Sequence, residues 1–246
     1  MAAGDDLAAA HLARGLREMG ARGKFSAKSL KVAAAMQPVF ERLMAALVKR
    51  GLLTKEDGAY RATPAFSTAA KNATKTLRAF VGSQSGHLPE ALLCAGNCAE
   101  LGPILRGEKE AVQVLFAGSN ADLLDQFYGD GLYASQWLAA IAATLQEAER
   151  HLPEGRGLRI LEIGGGTAGL AAHVLPLLQR GLHSYTFTDV SAGFFPGAMQ
   201  KLAAFPEVEC KIFDLEKSGT DQDLAADSFA IRLISHQHYL RSKTHA

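Results

Sequence analysis

Apolar residues recur at helical spacing through the first part of the chain, and the period shortens to that of strands near residue 155. In "LKVAAAMQPVFERLMAALVKRGLLT", residues Val39, Phe40, Leu43, Met44, Leu47 and Val48 make one helical face, and Gly51 is a stop signal. "LLTKEDGAYRAT" predicts a small hairpin turning at Asp57-Gly58. "LPEALLCAGNCAELGPILRG" reads as a helix broken at Gly102-Pro103, "NADLLDQFYGDG" as a shorter one, and "LYASQWLAAIAATLQEAERHL" as a long one that ends at Pro153. "PEGRG" is a linker. The expected division is a helical region over 1–153 and a second region over 154–246.

Helices followed by a hairpin resemble a winged-helix module, which either binds DNA or serves as a lid or dimerisation element. With no basic face visible, the lid reading is preferred. Beyond the linker, "LRILEIG", "SYTFTDV" and "EVECKIFDL" are short apolar strands. They alternate with helices in "TAGLAAHVLPLLQRG", ending at Gly181, and "AGFFPGAMQKLAAF". Strand–helix alternation of this length predicts parallel βαβ units, an α/β class with helices on both faces of the sheet. Phe229 to Ser235 is a doubtful fourth strand, with Arg232 inside it.

The first strand runs into glycines in "LRILEIGGGTAGL". Gly164, Gly166 and Gly169 fit the G-x-G-x-x-G of a dinucleotide site; Glu162, Gly164 and Gly166 fit most of the E-x-G-x-G-x-G of an S-adenosylmethionine site. Both need a tight turn without side chains and helix N-terminal amides facing the ligand. Asp189 lies roughly 20 residues beyond the loop, where a carboxylate can take ribose hydroxyls. Both cofactors contain adenosine, so neither feature separates them. Glu162 does. A carboxylate there would repel a pyrophosphate by roughly 1–4 kcal/mol, depending on local dielectric, and would attract an ammonium. Its bland alternative is a salt-bridge or helix-dipole role. Asp214, at the end of "CKIFDL", sits where an acid can accept from the adenine amine, with Leu215 against the ring; the alternative is a surface Asp at a strand end.

Bulk properties narrow the class. The chain has 246 residues, 48% of them hydrophobic, with a net charge of +1 and no basic stripe, so nucleic acid is not an expected partner. No apolar run reaches the roughly 18–20 residues of a membrane helix, and the N-terminus carries acids where a signal peptide needs bases. Three cysteines cannot all pair, and Cys94 and Cys98 lack a second ligand pair at zinc spacing. Reduced thiols in a cytoplasmic protein without a metal are expected.

"LRILEIGGGTAGLAAHVLPLL", "YTFTDVSAGFFPGAMQKLAAF" and "FDLEK" resemble the C-methyltransferase domain of polyketide synthases, a type-12 class-I methyltransferase. The upstream "NCAELGPILRGEKEAVQVLFAGSNADLLDQFYGD" is similar to the same family, and the likeness runs over about residues 30–217. The resemblance implies a Rossmann-like class-I core preceded by a helical, partly winged-helix-like lid. It implies S-adenosylmethionine held by Glu162, Gly164, Gly165, Gly166, Asp189, Asp214 and Leu215. It also implies methyl transfer to the α-carbon of a β-ketoacyl chain on an acyl carrier protein, with a His after the fourth strand, assisted by a later Glu, as the base.

Two departures stand out. The family usually has Gly-Thr-Gly-Gly where this chain has Gly166-Thr167-Ala168-Gly169. "DSFAIRLISHQHYLRSKTHA" replaces the family's fourth strand and catalytic turn: Ala230 stands for an acid, and His236 or His238 for the base, His238 being the closer. An incomplete sheet and a C-terminally truncated core are therefore expected, and the base remains open against an unrelated tail. Tyr128 and Asp130 match a step that borders the cofactor in the family, or a helix-end turn. Tyr133 and Trp137, one turn apart, read as packing more than as a substrate wall; His173 and His183 read as packing or surface. The rival functions are a non-catalytic remnant and a nicotinamide-dependent reductase.

Overall fold

The computed structural model describes residues 2–116, 118–129, 131–179, 181–218, 222, 224 and 229–234. It divides into two compact units, Met1–Phe127 and Tyr128–Ala246. The division falls upstream of the expected 153/154, because the long helix before the linker packs with the elements that follow it.

The first unit begins with α1 (Ala2–Glu18), β1 (Lys24–Phe25), α2 (Gln37–Lys49), β2 (Leu53–Glu56), β3 (Ala59–Ala62) and α3 (Pro64–Ser83). The antiparallel sheet has the order β1-β3-β2, so the hairpin is joined by a third short strand. Asp57 and Gly58 both have positive φ, 47° and 74°, the backbone of a tight turn that matches strand twist. On α2, Phe40, Met44 and Leu47 are buried, while Leu43 and Val48 are partly buried. Val39 is 44% exposed and leaves the expected face, because the buried stripe follows the spacing from Phe40. Thr63 caps α3, its Oγ1 accepting from Phe66 N at 3.3 Å with Pro64 in the first turn.

α4 (Leu88–Ala99), α5 (Leu101–Leu105), α6 (Ala111–Leu115) and α7 (Ser119–Gly129) follow. The break between the first two falls at Glu100, not at Gly102-Pro103. Pro103 sits in the first turn of α5, where its missing N–H costs nothing.

The second unit contains α8 (Leu132–Arg150), β4 (Arg159–Ile163), α9 (Gly169–Val174), β5 (Ser184–Asp189), α10 (Phe195–Lys201), β6 (Val208–Ile212) and β7 (Ile231–Ile234). Its strands are all parallel, in the order β6-β5-β4-β7. β4 and β5 are buried at every position after the first, as strands covered on both faces must be. α9 is shorter than expected. It ends at Val174 and passes into a 3-10 turn over Leu175–Leu177, where Pro176 cannot donate a helical hydrogen bond.

The doubtful fourth strand forms. Ile160↔Ile231 through Ile163↔Ile234 align β7 beside β4. Arg232 is accommodated because it alternates outward while Ile231 and Leu233 pack inward. Before β4, Gly157 is forced: a Cβ there would lie 1.4 Å from the Leu182 carbonyl oxygen.

Candidate functional site

The carboxyl ends of β4, β5 and β6 lie side by side, and each carries or is followed by an acid: Glu162 within β4, Asp189 closing β5, and Asp214 just after β6. At the usual strand spacing the three ends span roughly 10 Å, about the length of a nucleoside. In a parallel sheet this edge is where ligands bind.

Glu162 is entirely buried. Its Oε2 accepts a 2.9 Å hydrogen bond from the Tyr185 hydroxyl, and its backbone carbonyl accepts one of 2.7 Å from Thr188 Oγ1. Its Oε1 is buried and meets no hydrogen-bond partner among the described residues. Burial pushes the carboxyl up to about 7; the Tyr185 hydroxyl opposes the rise and the Asp189 charge adds to it. Without a cation beside it, Glu162 is thus partly protonated at neutral pH. The repulsion of a pyrophosphate, argued above for a full carboxylate, is correspondingly weaker. The attraction of an ammonium survives, since the cation itself favours the ionised form.

Asp189 is also buried, 2% exposed, and ties the loop to the next segment. Its Oδ2 accepts from Gly166 N at 3.0 Å and its Oδ1 from Ser191 N at 2.9 Å. Each oxygen keeps a second lone pair, so the carboxylate can still receive hydroxyl donors. Gly164 and Gly166 have positive φ, 73° and 52°. Gly165 N donates to the Thr188 carbonyl at 2.9 Å, and a Cβ on Gly165 would lie 2.2 Å from the Phe187 ring. The loop is therefore held against β5 through backbone atoms.

Asp214 is half-buried. Its Oδ1 accepts from Glu216 N at 3.0 Å, and the Gln222 side chain clamps its backbone at 2.7 and 2.9 Å. Leu215 is 46% exposed, an apolar face open to a flat ring.

The orphaned Oε1 and the spare lone pairs of Asp189 fit the ammonium and the ribose of S-adenosylmethionine. Known proteins agree at the level of fold. The CurJ carbon methyltransferase superposes with a TM-score of 0.82 at 23% identity, covering 96% of this chain and 64% of that one. The methyltransferase domain of the citrinin polyketide synthase gives a TM-score of 0.76 at 21% identity, covering 88% and 59%. The chain has the carbon methyltransferase fold. This is a class-I, Rossmann-like fold with a helical N-terminal region.

In sequence, the chain is 40% identical over 149 residues to the highly reducing polyketide synthase Preu5 of Preussia isomera, 57% of this chain and 6% of that protein. To the non-reducing polyketide synthase Preu3 of the same organism it is 29% identical over 181 residues, 72% of this chain and 7% of that protein. It thus spans only a small part of the relatives it matches. No family model matches it. A further similar structure, the trans-methyltransferase CalH (TM-score 0.66, 20% identity, 94% of this chain and 61% of that one), was solved with S-adenosylhomocysteine.

Ala168, which stands where the family usually has glycine, caps α9 with φ 62° and is fully buried. An L-residue in that conformation costs about 1–2 kcal/mol, so the departure stores strain at the loop. The candidate bases His236 and His238, and Asp130, lie outside the described residues. Tyr128 is near the loop through its backbone: a Cβ on Gly169 would lie 3.3 Å from the Tyr128 carbonyl oxygen. Trp137 is 71% exposed on α8 and does not pack inward as expected.

Two side chains at the site were not singled out by the sequence. Tyr185 and Thr188, the partners of Glu162, were legible only as polar residues in a strand buried on both faces. His183 is a structural clasp. Its Nδ1 accepts from Leu158 N at 2.8 Å, which leaves Nε2–H to donate to Glu149 Oε1 at 2.6 Å. The three cysteines are free, and the described residues hold no group of three or more metal-ligating side chains. No helix among them is long and apolar enough to cross a membrane.

Proposed function

We propose that this chain binds S-adenosylmethionine and belongs to the machinery that methylates the α-carbon of a β-ketoacyl chain carried as a thioester on an acyl carrier protein. The observation that carries this is the fully buried, unpartnered Oε1 of Glu162, beside a glycine loop tethered by Asp189.

When bound, the cofactor supplies an electrophilic methyl group. This chain's residues do the rest by position. Glu162 receives the ammonium, which compensates its buried charge. Asp189 receives ribose hydroxyls while holding Gly166, so ligand and loop are fixed by one side chain. Asp214 and Leu215 border the adenine. The substrate α-proton lies between two carbonyls and is already acidic, so the remaining requirements are alignment and one proton acceptor. His238 is the residue we assign to that proton.

Similarity to segments of polyketide synthases supports the choice of substrate class. Glu162 speaks against a nicotinamide-dependent reductase, whose pyrophosphate would meet a buried acid at this loop. The test is incubation with S-adenosylmethionine bearing a deuterated methyl group and a β-ketoacyl carrier protein. Mass spectrometry of the acyl chain should show one labelled methyl group at the α-carbon, lost in His238→Ala. Cofactor binding without any transfer would favour the non-catalytic remnant instead.

A further inference from the structure

Tyr185 lies on β5 opposite Ile160, and Phe187 lies opposite Glu162. Tyr185 and Glu162 are therefore diagonal neighbours on one face of the sheet. Tyr185 is fully buried among apolar side chains, where a phenylalanine would fill nearly the same space. Its hydroxyl is bound at 2.9 Å to Glu162 Oε2. Thr188 meanwhile pins the Glu162 backbone through a 2.7 Å bond to its carbonyl. With backbone and one carboxyl oxygen fixed, Oε1 is the remaining acceptor, buried and unmatched.

We propose that Tyr185 is a positioning residue for the methyl donor: by holding Oε2 it presents Oε1 to the ammonium of the bound cofactor. This rests on the reading of the loop as an S-adenosylmethionine site. A carboxylate free to rotate would spread its charge over several directions, and the ammonium would have to order it on binding. The hydroxyl removes that freedom in advance, which is preorganisation. A second role follows from the same bond. Donation from Tyr185 opposes the rise that burial and Asp189 impose on Glu162, and so keeps more of it ionised near neutral pH. Tyr185 and Asp189 are the charged or titratable groups that act on Glu162 among the described residues. On the other neighbouring strand Leu233 stands opposite it and Arg232 is exposed.

The experiment is isothermal titration of the wild-type chain and Tyr185→Phe with two ligands across pH 6–9. S-adenosylhomocysteine carries the ammonium. 5′-Methylthioadenosine keeps the adenosine and thioether and lacks the amino-acid end. In Tyr185→Phe, affinity for S-adenosylhomocysteine should fall roughly tenfold at pH 7.5 while that for methylthioadenosine stays unchanged. The pH below which S-adenosylhomocysteine affinity declines should also move upward. Equal weakening of both ligands would mark Tyr185 as mere packing and overturn the inference, as would unaltered affinity for both or an unmoved pH profile. A wild-type chain that binds neither ligand overturns the cofactor reading along with it.

Discussion

Glu162 should make the ligand-free chain lose stability as pH rises from 4.5 to 7. Its ordinary value of 4.5 applies to the unfolded chain, where it is solvated; burial raises it to about 7 in the folded state. Burial disfavours the charged form, so the folded chain holds its proton longer than the unfolded one. The stabilisation is complete below about 4.5, falls through the interval, and is mostly gone above about 7. The side chain is wholly buried, so solvent does not screen the effect. At about 1.4 kcal/mol per pH unit the loss is about 3 kcal/mol. With a urea slope of about 2 kcal/mol/M, the unfolding midpoint should drop by roughly 1–2 M from this residue alone.

The assay is urea unfolding followed by circular dichroism at pH 5, 6, 7 and 8, comparing wild type with Glu162→Gln. The amide still accepts from Tyr185 but buries an unmatched N–H, which lowers stability by an amount independent of pH. Carboxylates that do not interact with Glu162 contribute equally to both curves. The difference between the two curves therefore isolates Glu162: the wild type should fall relative to the variant between pH 5 and 7. Curves that stay parallel across the range would refute the reasoning.

Two other perturbations test the frame around the site. Gly157→Ala places a methyl group 1.4 Å from the Leu182 carbonyl oxygen, so it should destabilise the chain by at least about 3 kcal/mol, seen as loss of the cooperative urea transition. His183→Ala leaves the Leu158 N–H buried without an acceptor and removes the donor to Glu149, so it should cost about 2–3 kcal/mol in the same assay, and His183→Asn should recover part of it.

The α/β alternation was legible because each strand is a short apolar run set off by glycine or proline. The loop was legible because Gly164 and Gly166 occupy a backbone that other residues adopt only with strain. Helix ends were less so. The α4–α5 break fell at Glu100 because proline is tolerated in a first turn, and α9 stopped early because Pro176 has no amide hydrogen. β7 was doubtful in sequence because Arg232 interrupts an apolar run; only its neighbour β4 shows that the arginine points outward. The protonation of Glu162 was hidden altogether, since it depends on burial, on Tyr185 and on Asp189, none of which is local in sequence. Asp189 stood out in the sequence as a candidate ribose acceptor. Its hold on Gly166 was not legible, because that bond joins residues 23 apart in sequence.

In the proposed function the glycine loop holds a methyl donor. The most direct test is titration of the folded chain with S-adenosylhomocysteine and, in parallel, with NADPH, using Asp189→Ala as the control. A methyl-donor site should bind S-adenosylhomocysteine at micromolar concentration, more weakly in the variant, and should not bind NADPH; binding of NADPH instead, or of neither ligand by a chain shown to be folded, would contradict the proposed function.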